Sequence, residues 1–215
     1  MTGIQVFNGK GVFISRAWRN TKRWKSYGMA EDEDQCLWFI DCGPEDTVIK
    51  KIDLLNGNRV LVKIFLADII GEVYSESKCR FLTLAGGKLF ITDLGLDQVF
   101  VMSTSGDIGS VRRFGCSGDG DGMFSDPAGV VVDDVGNILV ADSKNHRLCL
   151  FDKKRNWIKK FQVSQISLLA MCFIINIAGS CETSQRHPAG QQQGRAVLSQ
   201  HAGQGGCRQV RPHMT

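Results

Sequence analysis

The sequence predicts an all-β fold built from a repeated four-stranded sheet, and three observations carry that reading. Residues Phe124–Val163 hold four short apolar bursts, Val130–Val132, Ile138–Ala141, Leu148–Phe151 and Trp157–Phe161, each bounded by Gly, Asn, Asp or charged residues. That is the pattern of strands joined by tight turns. The pattern recurs: Gly87–Asp93 aligns with Gly136–Asp142, Gln98–Met102 aligns with Arg147–Phe151, and Cys36–Asp41 with Thr47–Asp53 repeats the same pair of strands. Finally, one sheet of about forty residues with two apolar faces cannot offset its own ordering entropy, so the copies must stack on one another. Four-stranded units stacked radially make a β-propeller, whose ring takes about four to eight blades. The recognisable blades, 81–115 and 124–163 with a weaker copy at 36–62, therefore predict an incomplete propeller over residues 1–163.

Taken in order, Ile4–Phe7 and Gly11–Ile14 flank Asn8-Gly9, a favoured hairpin turn, and read as the remains of a blade. Arg16, Arg19, Lys22, Arg23 and Lys25 cluster around Trp18 and Trp24, ahead of the acidic run Glu31–Asp34. Basic residues interleaved with aromatics suit a phosphate backbone and a stacked base, but the simpler reading is a solvated strand and loop whose Trp residues face a core. Asn56-Gly57 turns the weak copy into Arg59–Val62, and Ile64–Val73 fits a strand or a helical turn equally. Phe81–Leu84 opens the next blade, Gly86-Gly87 turns it, and Val111–Phe114 is its outermost strand. The Gly118–Gly122 loop places Asp119 and Asp121 at alternate positions, yet the twelfth residue of a calcium loop starting at Asp119 is Val130, where a bidentate Glu is needed. Its glycines instead let the backbone cross from the edge of one blade to the inner strand of the next.

The run from Pro127 to Asp152, with Gly129, Gly136, Asp142, Asn145, His146 and Leu148, closely resembles the NHL repeat, and Gly118–Phe124 resembles that family's connector between blades. The resemblance is specific over one blade, fair over Leu84–Gly115 and weak over Leu37–Asp53. It is closest to the NHL domains that end RING-finger and tripartite-motif ubiquitin ligases. It implies a module that recognises a protein substrate or RNA while a separate zinc-binding RING recruits the ubiquitination machinery. The eight cysteines contain no C-x-x-C pair, so this chain supplies no RING ligand set, and recognition without catalysis is the expected role. The alternatives are an RNA-binding propeller in post-transcriptional regulation, or a metal-dependent lyase-type propeller. The latter would hold a metal with several His on the ring axis, whereas the repeats carry one, His146.

Candidate binding residues are Lys144, His146 and Arg147 in the turn of the clearest blade, with Arg112 and Arg113 on the preceding one. Asp41, Asp93 and Asp142 recur at the same strand end, which marks them, with Gly129 and Gly136, as repeat structure: a catalytic group would break the repeat and these follow it. No catalytic residue, metal or cofactor is expected, and scattered cysteines with no apolar leader suit a reducing, cytoplasmic setting. Open blade edges invite other copies of the chain.

Beyond Gln162 the character changes. Ile166–Ala178 is apolar over thirteen residues, short of the roughly twenty that cross a bilayer, and residues 179–215 are Gln-, Gly- and Arg-rich without an apolar period. Read one base forward, Ser184–Gly190 regains the P-x-G-aliphatic-x-x-D opening of the repeat. The segment 164–215 thus reads as an irregular tail, in part an out-of-frame translation of a further blade.

Overall fold

The computed structural model describes residues 3–21, 23–163 and 195–200. Its strands are β1 (Gly3–Asn8), β2 (Phe13–Arg19), β3 (Lys25–Glu31), β4 (Cys36–Cys42), β5 (Thr47–Asp53), β6 (Arg59–Phe65), β7 (Cys79–Ala85), β8 (Lys88–Asp93), β9 (Gln98–Ser103), β10 (Arg112–Phe114), β11 (Pro127–Val132), β12 (Ile138–Asp142), β13 (Arg147–Phe151), β14 (Trp157–Gln162) and β15 (Arg195–Gln200). Three four-stranded antiparallel meanders form, β3–β6, β7–β10 and β11–β14, which we number blades 1, 2 and 3; a three-stranded sheet, β15-β1-β2, precedes them. The innermost strand β7 lies beside both β3 and β11, so the blades fan out from a shared axis as an arc of a β-propeller.

Alternation within each strand feeds two seams, because successive residues point to opposite faces. Trp38 and Ile40 of blade 1 meet Leu89, Ile91, Phe100 and Met102 of blade 2. On the other face of blade 2, Phe90, Val99 and Val101 meet Val130, Ile138, Val140, Cys149 and Phe151 of blade 3. A third cluster joins Ile4, Val6 and Ala17 of the leading sheet to Leu37, Phe39 and Ile52 of blade 1. The far face of blade 3 carries only a small cluster, Ala141 and Leu148 with partly buried Val131, Leu139 and Val163 against it. Gly28 (φ +25°) sets the spacing of the inner strands, since a Cβ there would lie 2.7 Å from the carbonyl oxygen of Arg80 and the amide of Leu82.

Four turns share one device. The side-chain oxygen of Asn8, Asp32, Asp133 or Asp152 accepts the amides two and four residues on, at 2.7–3.1 Å. A short side-chain acceptor thereby replaces a backbone partner and closes the hairpin. Three turn aspartates, Asp53, Asp133 and Asp152, are held below the ordinary carboxylate range, chiefly by hydrogen bonds from Asn56, Asn137 and Asn156.

Three departures from the sequence reading are physical. Leu66–Ile70 is a short helix, α1, continued by a 3₁₀ turn over Gly71–Glu76; it buries Leu66, Ile69 and Ile70, which settles the ambiguity at 64–73. Lys25–Glu31 is the inner strand of blade 1, which the sequence reading did not separate from the basic strand and loop around it: Ser26 and Ala30 are buried, and Tyr27 and Met29 pack part-buried against the two flanking seams. After residue 164 the expectation was an irregular tail, yet Arg195–Gln200 pairs antiparallel with the edge of β1, from Gly3↔Gln200 to Asn8↔Arg195. An open edge accepts a strand by main-chain bonds alone, which needs no apolar period. The apolar run Ile166–Ala178 and most of the segment read as out of frame lie outside the described residues. No helix of the described residues is long and apolar enough to cross a membrane.

Candidate functional site

Each blade presents two ends. One carries the β3–β4, β5–β6, β7–β8, β9–β10, β11–β12 and β13–β14 hairpins, among them those closed by Asp32, Asp133 and Asp152; the other carries the β4–β5, β8–β9 and β12–β13 turns together with the connectors 20–24, 66–78 and 115–126. This connector edge gathers the repeat-defining residues.

In blade 3 a lock is built from Asp142, Asn145 and Arg147. Arg147, only 3% exposed, donates Nε to Asp142 Oδ2 at 2.8 Å and its terminal nitrogens to the carbonyls of Asp119 (2.6 Å), Gly120 (2.9 Å) and Met123 (3.0 Å). Asn145 Nδ2 bridges Asp142 Oδ2 (2.8 Å) and the Gly118 carbonyl (2.9 Å), and Asp142 Oδ1 accepts the Ser125 amide at 2.6 Å. The connector is thereby folded onto the blade it introduces, with Phe124 inserted among Phe114 and Phe151 at centroid distances of 6.2 and 5.6 Å. Gly115 (φ +86°) leaves the room, because its Cβ would stand 2.3 Å from that ring.

The expected binding residues separate under this geometry. Arg147 is buried, and every guanidinium nitrogen bonds inside the protein, so its side chain holds the connector. His146 adopts φ +52°, and the equivalent Asp97 adopts φ +50°. Both are residue types that enter the left-handed region at low cost, which gives this position a backbone reason for its identity. Lys144 does stand on the surface, 2.9 Å from Asp126, whose hydrogen bond raises its pKa. Arg112 and Arg113 are exposed, but on the outermost strand β10; Arg112 bonds the carbonyls of Gly109 and Val111 at the hairpin end, so it does not join Lys144 in one patch. Gly129 lies at the register shift of β11 against β12, and Gly136 (φ +96°) lies in the aspartate turn.

The three repeat aspartates are all buried, at 0–1% exposure, but their partners differ. Asp93 repeats the pattern of Asp142: it accepts the Ser77 hydroxyl and the amides of Lys78, Gly95 and Leu96. Asp41 does not. Among the described residues of 20–24 no amide reaches it; the Ser26 hydroxyl donates to Oδ1 at 3.4 Å, and Lys50 swings in at 2.6 Å. The Lys50 ammonium also sits 4.6 Å from the Trp18 ring and 4.9 Å from the Trp24 ring. Trp24 rests on Gly43, where a Cβ would meet the ring at 2.6 Å, and Trp18 packs on Phe39 at 5.3 Å. A cavity of about 130 Å³ remains, lined by Trp18, Arg19, Thr21, Trp24, Asp41 and Lys50. The sequence named this aromatic and basic stretch but could not join it to Asp41 and Lys50, which come from two other strands. Among the described residues no group of three or more His, Cys, Asp or Glu is placed to hold a metal ion.

The fold and this edge define a class: a β-propeller arc whose connectors are clamped by buried aspartates. Residues 124–151 match the NHL repeat. Curated relatives are similar over short stretches. Protein lin-41 of Caenorhabditis elegans is 44% identical over 52 residues, 24% of this chain and 4% of that protein. The B-box type zinc finger protein ncl-1 of the same organism is 46% identical over 50 residues, 23% of this chain and 6% of that protein. Protein brain tumor of Drosophila melanogaster is 33% identical over 88 residues, 38% of this chain and 8% of that protein. The match thus spans less than a tenth of each relative. Among solved structures, a streptogramin B lyase superposes with a TM-score of 0.51 at 16% identity, covering 74% of this chain and 44% of that one. A catalytically inactive virginiamycin B lyase from Staphylococcus aureus gives 0.50 at 12%, covering 76% and 46%. At such identity the likeness is one of fold.

Proposed function

We propose that this chain is the recognition part of an NHL-propeller protein of the RING-finger or tripartite-motif ubiquitin-ligase type. Its connector edge holds a protein partner, and the ubiquitination machinery attaches through domains outside this chain. The observation that carries the reading is the lock of blade 3. Asp142, Asn145 and Arg147 are consumed in fixing the connector, which leaves a rigid, polar, solvent-facing edge with Lys144 on it: a platform for gripping, with no catalytic group following the repeat. Resemblance to the NHL domains of such ligases supplies the ubiquitin link, and a reducing cytoplasmic setting goes with it.

A second reading, RNA binding, is favoured by the exposed Arg113 on the outer strand of blade 2 and the exposed Lys153 and Lys154 in the β13–β14 turn of blade 3. The test uses the tagged full chain expressed in its source cells, with recovered proteins, their ubiquitin linkage and crosslinked RNA measured together. Ubiquitin-linked proteins lost with Lys144→Glu support the first reading. RNA whose affinity falls with salt at a slope of about −0.7 per contacted phosphate supports the second. A pool recovered equally by the wild-type chain and by an Arg147→Met chain with its lock removed would overturn both.

A further inference from the structure

We infer that the pocket between Trp18, Trp24 and Lys50 receives a single acidic side chain from the partner protein. The inference rests on the recognition reading and names where, and by what chemistry, the partner is held. Its starting point is that blade 1 breaks the repeat. In blades 2 and 3 the buried aspartate is closed off by connector amides, Lys78 at 2.8 Å and Ser125 at 2.6 Å. In blade 1 the short connector leaves the equivalent place open, as a cavity of about 130 Å³. That is room for about four waters at about 30 Å³ each, or for one short side chain.

The lining selects the charge. Asp41 is already matched by Lys50 at 2.6 Å, so the pocket offers no unmatched carboxylate to a cation. What remains is donors. An ammonium carries three, of which Lys50 gives one to Asp41, and Arg19 and Thr21, both residues with side-chain donors, line the same pocket. Arg19 lines the pocket and is exposed, as are Arg23 and Lys25 nearby in the chain, and among the described residues none of the three has a carboxylate partner. A nucleobase fits less well than a carboxylate. Stacking would need the space between the two indoles, and the Lys50 ammonium occupies it at 4.6 and 4.9 Å from their centroids. A carboxylate needs only the cavity beside Nζ, where charge-assisted hydrogen bonds are the strong kind.

The test titrates the full chain with three fluorescein-labelled probes, a (Gly-Glu)4 peptide, a (Gly-Gln)4 peptide and an eight-nucleotide oligo(U) RNA, read by polarisation and by quenching of the indole fluorescence. The acidic peptide should bind at least about ten-fold tighter than the amide peptide, the worth of one charge-assisted bond. Arg19→Gln and Thr21→Val should each weaken it by about two- to five-fold with an unchanged thermal melt, while Arg112→Gln and Lys154→Gln, away from the pocket, should not. Equal binding of the two peptides, equal loss from all four variants, or preferential quenching by the RNA would each overturn the inference. If partners are still recovered from cells and lost with Lys144→Glu while Arg19→Gln has no effect, the recognition reading stands and only the pocket falls.

Discussion

Replacing Arg147 with Met should show how much of the blade depends on the connector lock. The substitution keeps an unbranched apolar stem but removes four hydrogen bonds, one to Asp142 and three to the carbonyls of Asp119, Gly120 and Met123. The carbonyls can turn to water if the loop lifts, whereas Asp142 cannot: it is 0% exposed and keeps only Ser125, Asn145 and a weak thiol contact from Cys149. Stranding one partner of a buried ion pair costs about 3–5 kcal/mol, a fall in Tm of roughly 6–20 °C for a chain of this size. Urea unfolding of the full chain, followed by indole fluorescence, measures it, and hydrogen exchange over residues 115–126 locates it. A second variant, Asp142→Leu with Arg147→Met, removes both charges, and the double change should cost clearly less than the two single changes added together. A loss below about 1 kcal/mol for Arg147→Met, or full additivity, would refute the assignment of Arg147 to structure and return it to the surface as a ligand contact.

Two further outcomes test the seams and the turns. Gly28→Ala drives a methyl to within 2.7 Å of the β7 backbone at a positive φ, so it should open the seam between blades 1 and 2, costing roughly 1–3 kcal/mol; an unchanged urea midpoint would show that β3 and β7 do not approach as described. The aspartate turns predict acid sensitivity. Asp53, Asp133 and Asp152 have folded pKa values depressed by their Asn partners, so their contribution is present above the unfolded carboxylate pKa of about 3.9 and is lost as pH falls through the lower folded values. Asp133→Asn should lower stability at pH 7, where the ionised carboxylate contributes, and converge with wild type below about pH 4, so that its acid limb is flatter, which a series of urea melts would check; an identical acid limb in wild type and variant would contradict the turn geometry.

The sequence determined by itself that this is a chain of stacked four-stranded sheets, because alternation and turn residues are local and repeat where the blades repeat: Gly87–Asp93 and Gly136–Asp142 are legible as the same strand without coordinates. It also marked Asp41, Asp93 and Asp142 as equivalent, and NHL-like residues at 127–152 as the clearest copy. The tertiary structure decided what those equivalents do. Arg147 and Lys144 are three residues apart and both basic, yet one closes a connector 27 residues upstream and the other faces water, and no local rule separates them. Lys25–Glu31 does not stand out from the basic strand and loop before it until β4 and β7 are beside it. The open place in blade 1 needed Trp18, Trp24, Asp41 and Lys50 to meet from two strands, a connector and a neighbouring sheet. Burial and electrostatic pairing are set by what packs across a seam, and a seam joins residues that the chain itself keeps far apart.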